Sequence, residues 1–250
     1  MVFWTILRRE AFQLVRSVHG LAPLFLALAG AGGLFVWLLN RAEGSATALP
    51  ALWGLATAFG LPFLAAVAAS RGFTQDREVG MLRLMFATPV RARWWVLGKV
   101  LAAWLLCMLY VAGMGVTCWV LARWTLPADA SLPGSWLGFA LAVAALAAQA
   151  LLWCGVGTLV SLFFRSSAST FLISLLTCLL APPALCMTLS MTFGRPITQW
   201  PLFPLQMAVL DCAGGLVDVR ALAGCLMGAA VVTYAAGMAF DALRLCATER

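Results

Sequence analysis

Eight cysteines are the residues with the most obvious chemical potential in this 250-residue sequence. No two of them have the C-x-x-C spacing that is typical of redox pairs and metal sites. Most lie in long apolar runs, where we expect a thiol to behave as a small hydrophobic side chain. Cys186, Met187 and Met191, with Cys212 beyond them, differ because soft sulfur ligands in such a group could bind copper or support thiol chemistry. The other cysteines are Cys107, Cys118, Cys154, Cys178, Cys225 and Cys246.

The remaining chemistry-bearing residues exclude several classes of enzyme. The single histidine, His19, excludes a bis-histidine haem site or a multi-histidine metal centre within this chain. The sequence contains neither the H-E-x-x-H motif of zinc proteases nor the G-x-S-x-G motif of serine hydrolases. It also lacks the G-x-x-x-x-G-K-[ST] loop that cradles ATP phosphates, since Gly98-Lys99 is followed by Val100. We therefore predict no catalytic residues, no metal site and no directly bound cofactor.

The elements that carry these residues are predicted to be membrane helices. The chain is 64% hydrophobic and 10% charged, whereas soluble domains are about half apolar and about a quarter charged. Six stretches between charges are long enough to cross a bilayer, which takes about 20 apolar residues. We expect an all-α polytopic membrane protein with one transmembrane domain, 1–250. Its predicted spans are 21–39, 47–69, 99–122, 136–164, 167–190 and 220–241, with an outer re-entrant segment at 191–219.

The basic residues predict the orientation of these six spans. Twelve of the sixteen Lys and Arg residues lie on the side that holds the N-terminus, and an excess of Lys and Arg marks the cytoplasmic side. Both termini are therefore predicted to be cytoplasmic. The net charge of +7 follows from this topology and from contact with the lipid bilayer. We predict no nucleic-acid partner, because no basic stripe is interleaved with aromatics on a soluble face.

Residues 1–19 are predicted to form an amphipathic helix that lies flat at the membrane interface. Trp4 and Leu7 belong to the apolar face, whereas Arg9, Glu10 and Arg16 are assigned to the polar face. A cleaved signal peptide is the alternative, but the apolar stretch that follows is too long for one and lacks a clean small-residue cleavage site.

The longest polar segment, 71–98, lies between the second and third spans. Within it, Asp76 to Phe86 can form one short helix, with acids at its N-terminal end and Pro89 as its stop. This helix carries more apolar residues than a solvated loop needs. A sticky helix outside the bilayer predicts a docking surface for a protein partner.

The order of residues in this segment resembles that of the permease subunits of the ABC type 2 transporter family. An acidic residue and a glycine, Glu78 and Gly80, are followed by a leucine-rich turn, by the T-P-V sequence 88–90 with basic residues, and by Gly98-Lys99 at the start of a span. Met81 departs from the pattern, because a threonine commonly follows this glycine. The six spans and the N-terminal amphipathic helix are also similar to that family.

The resemblance implies a function for the segment. In the family, a cytoplasmic coupling helix between helices 2 and 3 docks on a separate ATP-binding cassette ATPase subunit, which binds ATP and Mg. It also implies a second permease copy or a related permease, and a multi-pass location in the bacterial inner (cytoplasmic) membrane. We expect an exporter permease without its own ATPase site. The residues predicted to couple it to the ATP-binding subunit are Glu78, Gly80, Leu82, Leu84, Pro89 and Arg91.

Two alternatives remain open from the sequence. Within the same class, the chain is similar in size to permeases of cofactor assembly, which serve haem export or copper-site maturation. In a different class, it would be a non-transporting membrane scaffold that tethers a cytoplasmic ATPase through the same loop.

Overall fold

A computed structural model describes most of the chain as helix. The described residues are 2–16, 18–41, 49–88, 90–125, 136–193, 205–216 and 219–248. None of them lies in a β-strand, so the prediction of an all-α chain is confirmed. The helices are α1 Val2–Arg16, α2 Val18–Arg41, α3 Leu49–Ser70, α4 Phe73–Glu78, α5 Met81–Ala87, α6 Ala92–Thr125, α7 Trp136–Phe163, α8 Ser167–Phe193, α9 Leu205–Ala213 and α10 Val219–Thr248.

Five of these helices contain stretches that are long and apolar enough to cross a membrane, counted over the described residues. They are α2, α3, α6, α7 and α10. The remaining predicted span corresponds to α8, whose apolar stretch with described side chains, Ser167–Leu180, is shorter. The sixth span thus stays a prediction.

Close contacts between small residues hold the centre of the bundle together. Helix α7 packs most extensively against α10 and α3. Gly157 of α7 lies so near Ala69 of α3 that a side chain at position 157 would overlap the alanine methyl group. Tyr110 of α6 lies over Gly60 of α3 and donates a hydrogen bond of 3.3 Å to the Thr57 carbonyl oxygen. Such small-residue faces let helix backbones approach closely, which is how membrane helices gain packing energy in lipid.

The short helix α9 lies in the segment predicted as an outer re-entrant element, and it packs against α3 and α7. Its Val209 is buried, and the Val209 Cγ1 atom would lie 2.8 Å from a Cβ atom at Gly54. The preceding part of that segment, 194–204, is outside the described residues.

Helices α4 and α5 connect α3 to α6 and are called here the two-helix segment (73–87). Within the chain they lie where one coupling helix was expected. The N-terminal helix α1 packs along α6, on the same end of the bundle.

Candidate functional site

The two-helix segment is bent at a glycine. The sequence predicted one helix from Asp76 to Phe86, but the structure has two, because Gly80 adopts a left-handed conformation with φ 77° and ψ 2°. The amide of Gly80 donates to the Arg77 carbonyl oxygen at 3.1 Å, which closes the end of α4. Left-handed geometry is accessible to glycine at little cost, and it commonly ends a helix. The prediction of a single helix was therefore wrong.

The C-terminal end of the two-helix segment lies where its sequence predicts. Helix α5 ends at Ala87, and Thr88 is extended at φ −78° and ψ 144°. A residue before proline is driven out of the helical region by the proline ring, so Pro89 explains this end. Pro89 itself lies outside the described residues.

The predicted coupling residues divide into an exposed group and a buried one. Glu78, Gly80 and Arg91 are exposed to solvent, and Leu84 is 64% exposed. Leu82 is only 8% exposed and belongs to the core. Its side chain therefore anchors α5 to the bundle instead of presenting a surface. Val79 lies beside Gly80 and is 73% exposed, an apolar residue that the sequence reading did not single out.

A buried cluster of charges fixes α4 to two other helices. Lys99, the only lysine of the sequence, has a side chain that is 3% exposed. Its Nζ atom lies 2.9 Å from Glu10 Oε2 on α1 and 2.6 Å from Asp76 Oδ2 on α4. Nζ also donates to the Gly72 carbonyl oxygen at 3.3 Å and lies 5.1 Å from the centre of the Phe73 ring. We call Glu10, Asp76 and Lys99 the charge triad.

The charge triad combines one cation with two anions in a largely dehydrated place. Burial of an ion pair is costly unless opposite charges lie close together, because removal from water is expensive. Lys99 donates to Glu10 Oε2 and to the Gly72 carbonyl oxygen and forms an ion pair with Asp76, so one ammonium group faces two carboxylates and one negative charge is in excess. The arrangement ties α1, α4 and α6 at a single point.

Two arginines clamp the segment to further helices through backbone carbonyl groups. Arg77 of α4 donates to the carbonyl oxygens of Leu162 at 2.8 Å and Phe164 at 3.0 Å, at the C-terminal end of α7. A cation is favourable there because the last carbonyl groups of a helix lack partners within the helix. At the other end of the segment, Arg244 of α10 donates to Thr88 O at 2.9 Å and Val90 O at 3.4 Å.

An aromatic cluster joins the two short helices to α10. The ring centre of Phe240 lies 5.2 Å from that of Phe73 on α4 and 5.2 Å from that of Phe86 on α5. Both distances are within the range of favourable aromatic pairs. Phe73 and Phe240 are almost fully buried, so both halves of the segment share one hydrophobic anchor.

Helix α1 is docked on the bundle by its inner face. Leu7 is buried, whereas Trp4 and Arg16 are exposed. Arg9 is half-buried, and its Nη2 atom lies 3.6 Å from the Met81 sulfur of α5. Glu10, which the sequence reading assigned to the polar face, is instead buried beside Lys99.

The sequence reading missed the three members of the charge triad and the two clamping arginines, Arg77 and Arg244. A signal for Glu10 was present, since it follows Ile6 by four positions and Leu7 by three, and both are buried. No comparable local signal marks Arg77 or Arg244, because their carbonyl partners are distant in sequence.

The structure describes the side chains of only two of the four sulfur residues that the sequence groups together, Met191 and Cys212. Over the described residues, no three His, Cys, Asp or Glu side chains form a metal-binding group. Met191 is 80% exposed and Cys212 is buried. The side chains of Cys186 and Met187 lie outside the described residues. Elsewhere, the Cys107 and Cys154 sulfur atoms lie 3.7 Å apart inside the bundle.

Comparison with known proteins gives a family for the chain. No curated protein matches the sequence. Residues 4–207 match the family described as ABC-2 family transporter protein, which is well over half of the 250 residues. That match includes most of α1, the two-helix segment and all three members of the charge triad. The chain therefore belongs to the ABC-2 transporter family and is a transmembrane permease of that family.

Proposed function

We propose that the chain is the permease subunit of an ABC exporter and that a separate ATP-binding subunit docks on the two-helix segment. The observation that carries the proposal is a group of solvent-exposed residues, called here the exposed tip (Glu78, Val79 and Leu84), in a segment that is firmly anchored to the bundle. Glu78, Val79 and Leu84 face solvent, while the same segment is held by the charge triad and by both arginine clamps.

The exposed tip has the composition of a docking surface. Leu84 and Val79 are large apolar side chains that are mostly exposed, and Glu78 adds a charge beside them. Exposed apolar residues next to polar ones are a common feature of protein interaction sites. In this proposal, the ATP-binding subunit covers the two apolar side chains and pairs with the charged ones, Glu78 and Arg91.

The anchors supply a route for movement from the docked subunit into the bundle. A displacement of α4 would be transmitted to α6 and α1 through Lys99, and to α7 through Arg77. A push on the end of α5 reaches α10 through Arg244. Packed helices transmit displacement because protein interiors are dense and deform little. ATP-driven closure would thus move several helices together.

The membrane placement in this proposal follows the basic residues. The two-helix segment and both termini are cytoplasmic, in a bacterial inner membrane, and α1 lies at the interface. Exposed Trp4 and Phe12 on α1, with Arg16 nearby, support this position, because aromatic and basic side chains favour the interface. A second permease copy or a related permease completes the path.

An apolar cavity supports a hydrophobic or amphiphilic cargo. It measures about 570 Å³ and is lined by α2, α3, α6 and α7. None of the described residues that line it carries a charge. Aromatic residues form much of its wall, namely Phe35, Trp53, Trp119, Trp136 and Phe139. A cavity of this size and lining is typical of sites for small apolar ligands.

The docking proposal is tested by reversing the chemistry of the tip. Leu84→Asp and Glu78→Lys should each prevent copurification of an ATP-binding subunit from native membranes and abolish the associated ATPase activity, while the chain still inserts. Leu245→Asp is the matched control, because Leu245 is 66% exposed near the end of α10. Unchanged ATPase recovery with both tip variants would contradict the proposal.

Transport itself requires a separate measurement. In proteoliposomes that contain the complex, an exporter should move an apolar fluorescent probe when ATP is supplied. ATP hydrolysis without any movement of a panel of such probes would favour the scaffold alternative, in which the same segment only tethers the ATPase.

A further inference from the structure

A groove of about 850 Å³ lies between α6 and α10, on the end of the bundle that carries the two-helix segment. Three arginines stand at one end of it, Arg91, Arg93 and Arg244. Among the described residues that line it, Asp241 is the only acidic one, so arginines outnumber acidic side chains at this end. The groove is separate from the apolar cavity between α2, α3, α6 and α7.

Beyond the arginines, the lining of the groove becomes apolar. Leu97, Val100 and Leu101 form one wall on α6, and Leu151 of α7 contributes to the floor. On the α10 side the lining consists largely of small residues, which leave room in the groove: Ala229, Ala230, Thr233 and Gly237. A Cβ atom at Gly237 would have no heavy atom within 4 Å, so the space above this glycine is open.

The groove is long enough for one leaflet of a bilayer. Its lining on α10 extends from Leu226 to Arg244, which is about 27 Å along a helix with a rise of 1.5 Å per residue. Half of a bilayer, headgroups included, is about 20–22 Å thick. Arg244 lies near the C-terminal end of α10 and Arg93 in the first turn of α6, whereas the apolar part of the groove follows α10 away from them.

We propose that this groove binds an anionic phospholipid of the leaflet on the side of the two-helix segment. Its phosphate lies beside Arg93 and Arg244, and one acyl chain lies against the small residues of α10. The groove has basic residues at one end and an apolar trough along the rest of its length. An anionic phospholipid has the same arrangement, with a charged headgroup and an apolar chain. A zwitterionic lipid would leave the excess of cationic charge uncompensated.

The arginines have different roles in this site. Arg244 donates to the carbonyl oxygens of Thr88 and Val90, just beyond the end of α5. Arg93 is exposed, with its guanidinium carbon 5.7 Å from the centre of the Trp94 ring. Because Arg244 holds the end of the two-helix segment, a lipid phosphate beside it links the composition of the membrane to the position of that segment.

Two variants test the contribution of the charge and that of the apolar trough separately. Arg93→Gln should weaken retention of phosphatidylglycerol about fivefold, the usual effect of one basic residue near anionic lipid. Gly237→Leu should abolish retention by filling the trough, without adding or removing a charge. The matched controls are Arg8→Gln, on exposed α1, and Gly33→Leu, at an exposed glycine of α2 that also has no heavy atom within 4 Å of its Cβ position.

The full chain is purified in mild detergent and the lipid bound to it is counted by native mass spectrometry, after exchange with phosphatidylglycerol or phosphatidylcholine. We expect about one phosphatidylglycerol per chain, no retained phosphatidylcholine, and wild-type behaviour in both controls. Glycerol phosphate, which lacks acyl chains, should not displace the lipid.

Three results would overturn the proposal. The first is unchanged lipid retention in both variants. The second is displacement by glycerol phosphate or inorganic phosphate, which would identify a site for a free anion. The third is a change of oligomeric state in Gly237→Leu with unchanged lipid, which would make the groove an interface between copies. None of these readouts depends on ATPase coupling, so the proposed function is tested independently.

Discussion

Removal of the positive charge from the charge triad should release α1 and α4 from α6. In Lys99→Met, Glu10 and Asp76 lose the ammonium group that lies 2.9 Å and 2.6 Å from them. Breaking a buried ion pair by removing one partner costs about 3–5 kcal/mol, because an uncompensated charge is left behind. This range applies here because the side chains of Lys99, Glu10 and Asp76 are only 3%, 11% and 15% exposed.

The effect should be local and large enough to measure residue by residue. A loss of about 3–5 kcal/mol corresponds to about two to four orders of magnitude in the equilibrium for local opening. We expect amide hydrogen exchange to accelerate by that factor in α1 and α4, up to the limit set by their present protection. The interior of α7, which the triad does not contact, should change little.

A neutral replacement of all three residues provides the decisive comparison. Apolar groups of similar volume can substitute for a buried ionic cluster at little or no cost. The triple variant Glu10→Met, Asp76→Leu, Lys99→Met should therefore protect α1 and α4 better than Lys99→Met alone. If the single variant exchanges no faster than the triple variant, the charges of the triad do not hold these helices and the reasoning fails. Arg8→Met, at an exposed position of α1, should change stability by less than about 0.5 kcal/mol.

Two further substitutions test the backbone and the core. Gly80→Ala should destabilise the two-helix segment by about 1–2 kcal/mol, the cost of left-handed geometry for alanine, because its φ is 77° and a Cβ there meets no other atom within 4 Å. Gly33→Ala, in helix α2 with the same open space, should be neutral or slightly stabilising in the same exchange measurement; equal behaviour of the two alanines would contradict the argument from φ. Gln149→Leu should raise the thermal midpoint in detergent, because Gln149 is 1% exposed and neither side-chain polar atom has a partner among the described residues. A gain of about 1 kcal/mol is expected, and a lower midpoint would mean that the amide is stabilising after all.

The helices could be predicted from the sequence because their cause is local. Long charge-free stretches can satisfy backbone polar groups in lipid only as helices, so charge positions alone predict where spans lie. The family resemblance likewise rested on adjacent residues, from Glu78 to Lys99, and the family match over residues 4–207 confirms it. The bend at Gly80 was missed, although glycine followed the acidic turn, because a helix pattern on both sides concealed a left-handed residue.

The anchoring of the candidate site could not be predicted because its cause is tertiary. Lys99 lies 89 positions from Glu10, and nothing in the sequence near either residue indicates that the two are paired. Glu10 was assigned to the polar face of α1 despite its spacing from Ile6 and Leu7, because a carboxylate is normally solvated. Its burial follows from the partner that α6 supplies, which reverses the usual preference of a charged side chain.

The positions of the anchors favour a segment that moves as one body over a segment that folds on contact with a partner. Helices α4 and α5 have only six and seven residues, and isolated helices shorter than about 12 residues are marginal in water. Their order must therefore come from the bundle, through Lys99, Arg77, Arg244 and the shared contact with Phe240. A partner that docks on Leu84 would spend no binding energy on ordering the segment. The energy of docking would instead be available to displace α6, α7 and α10 together.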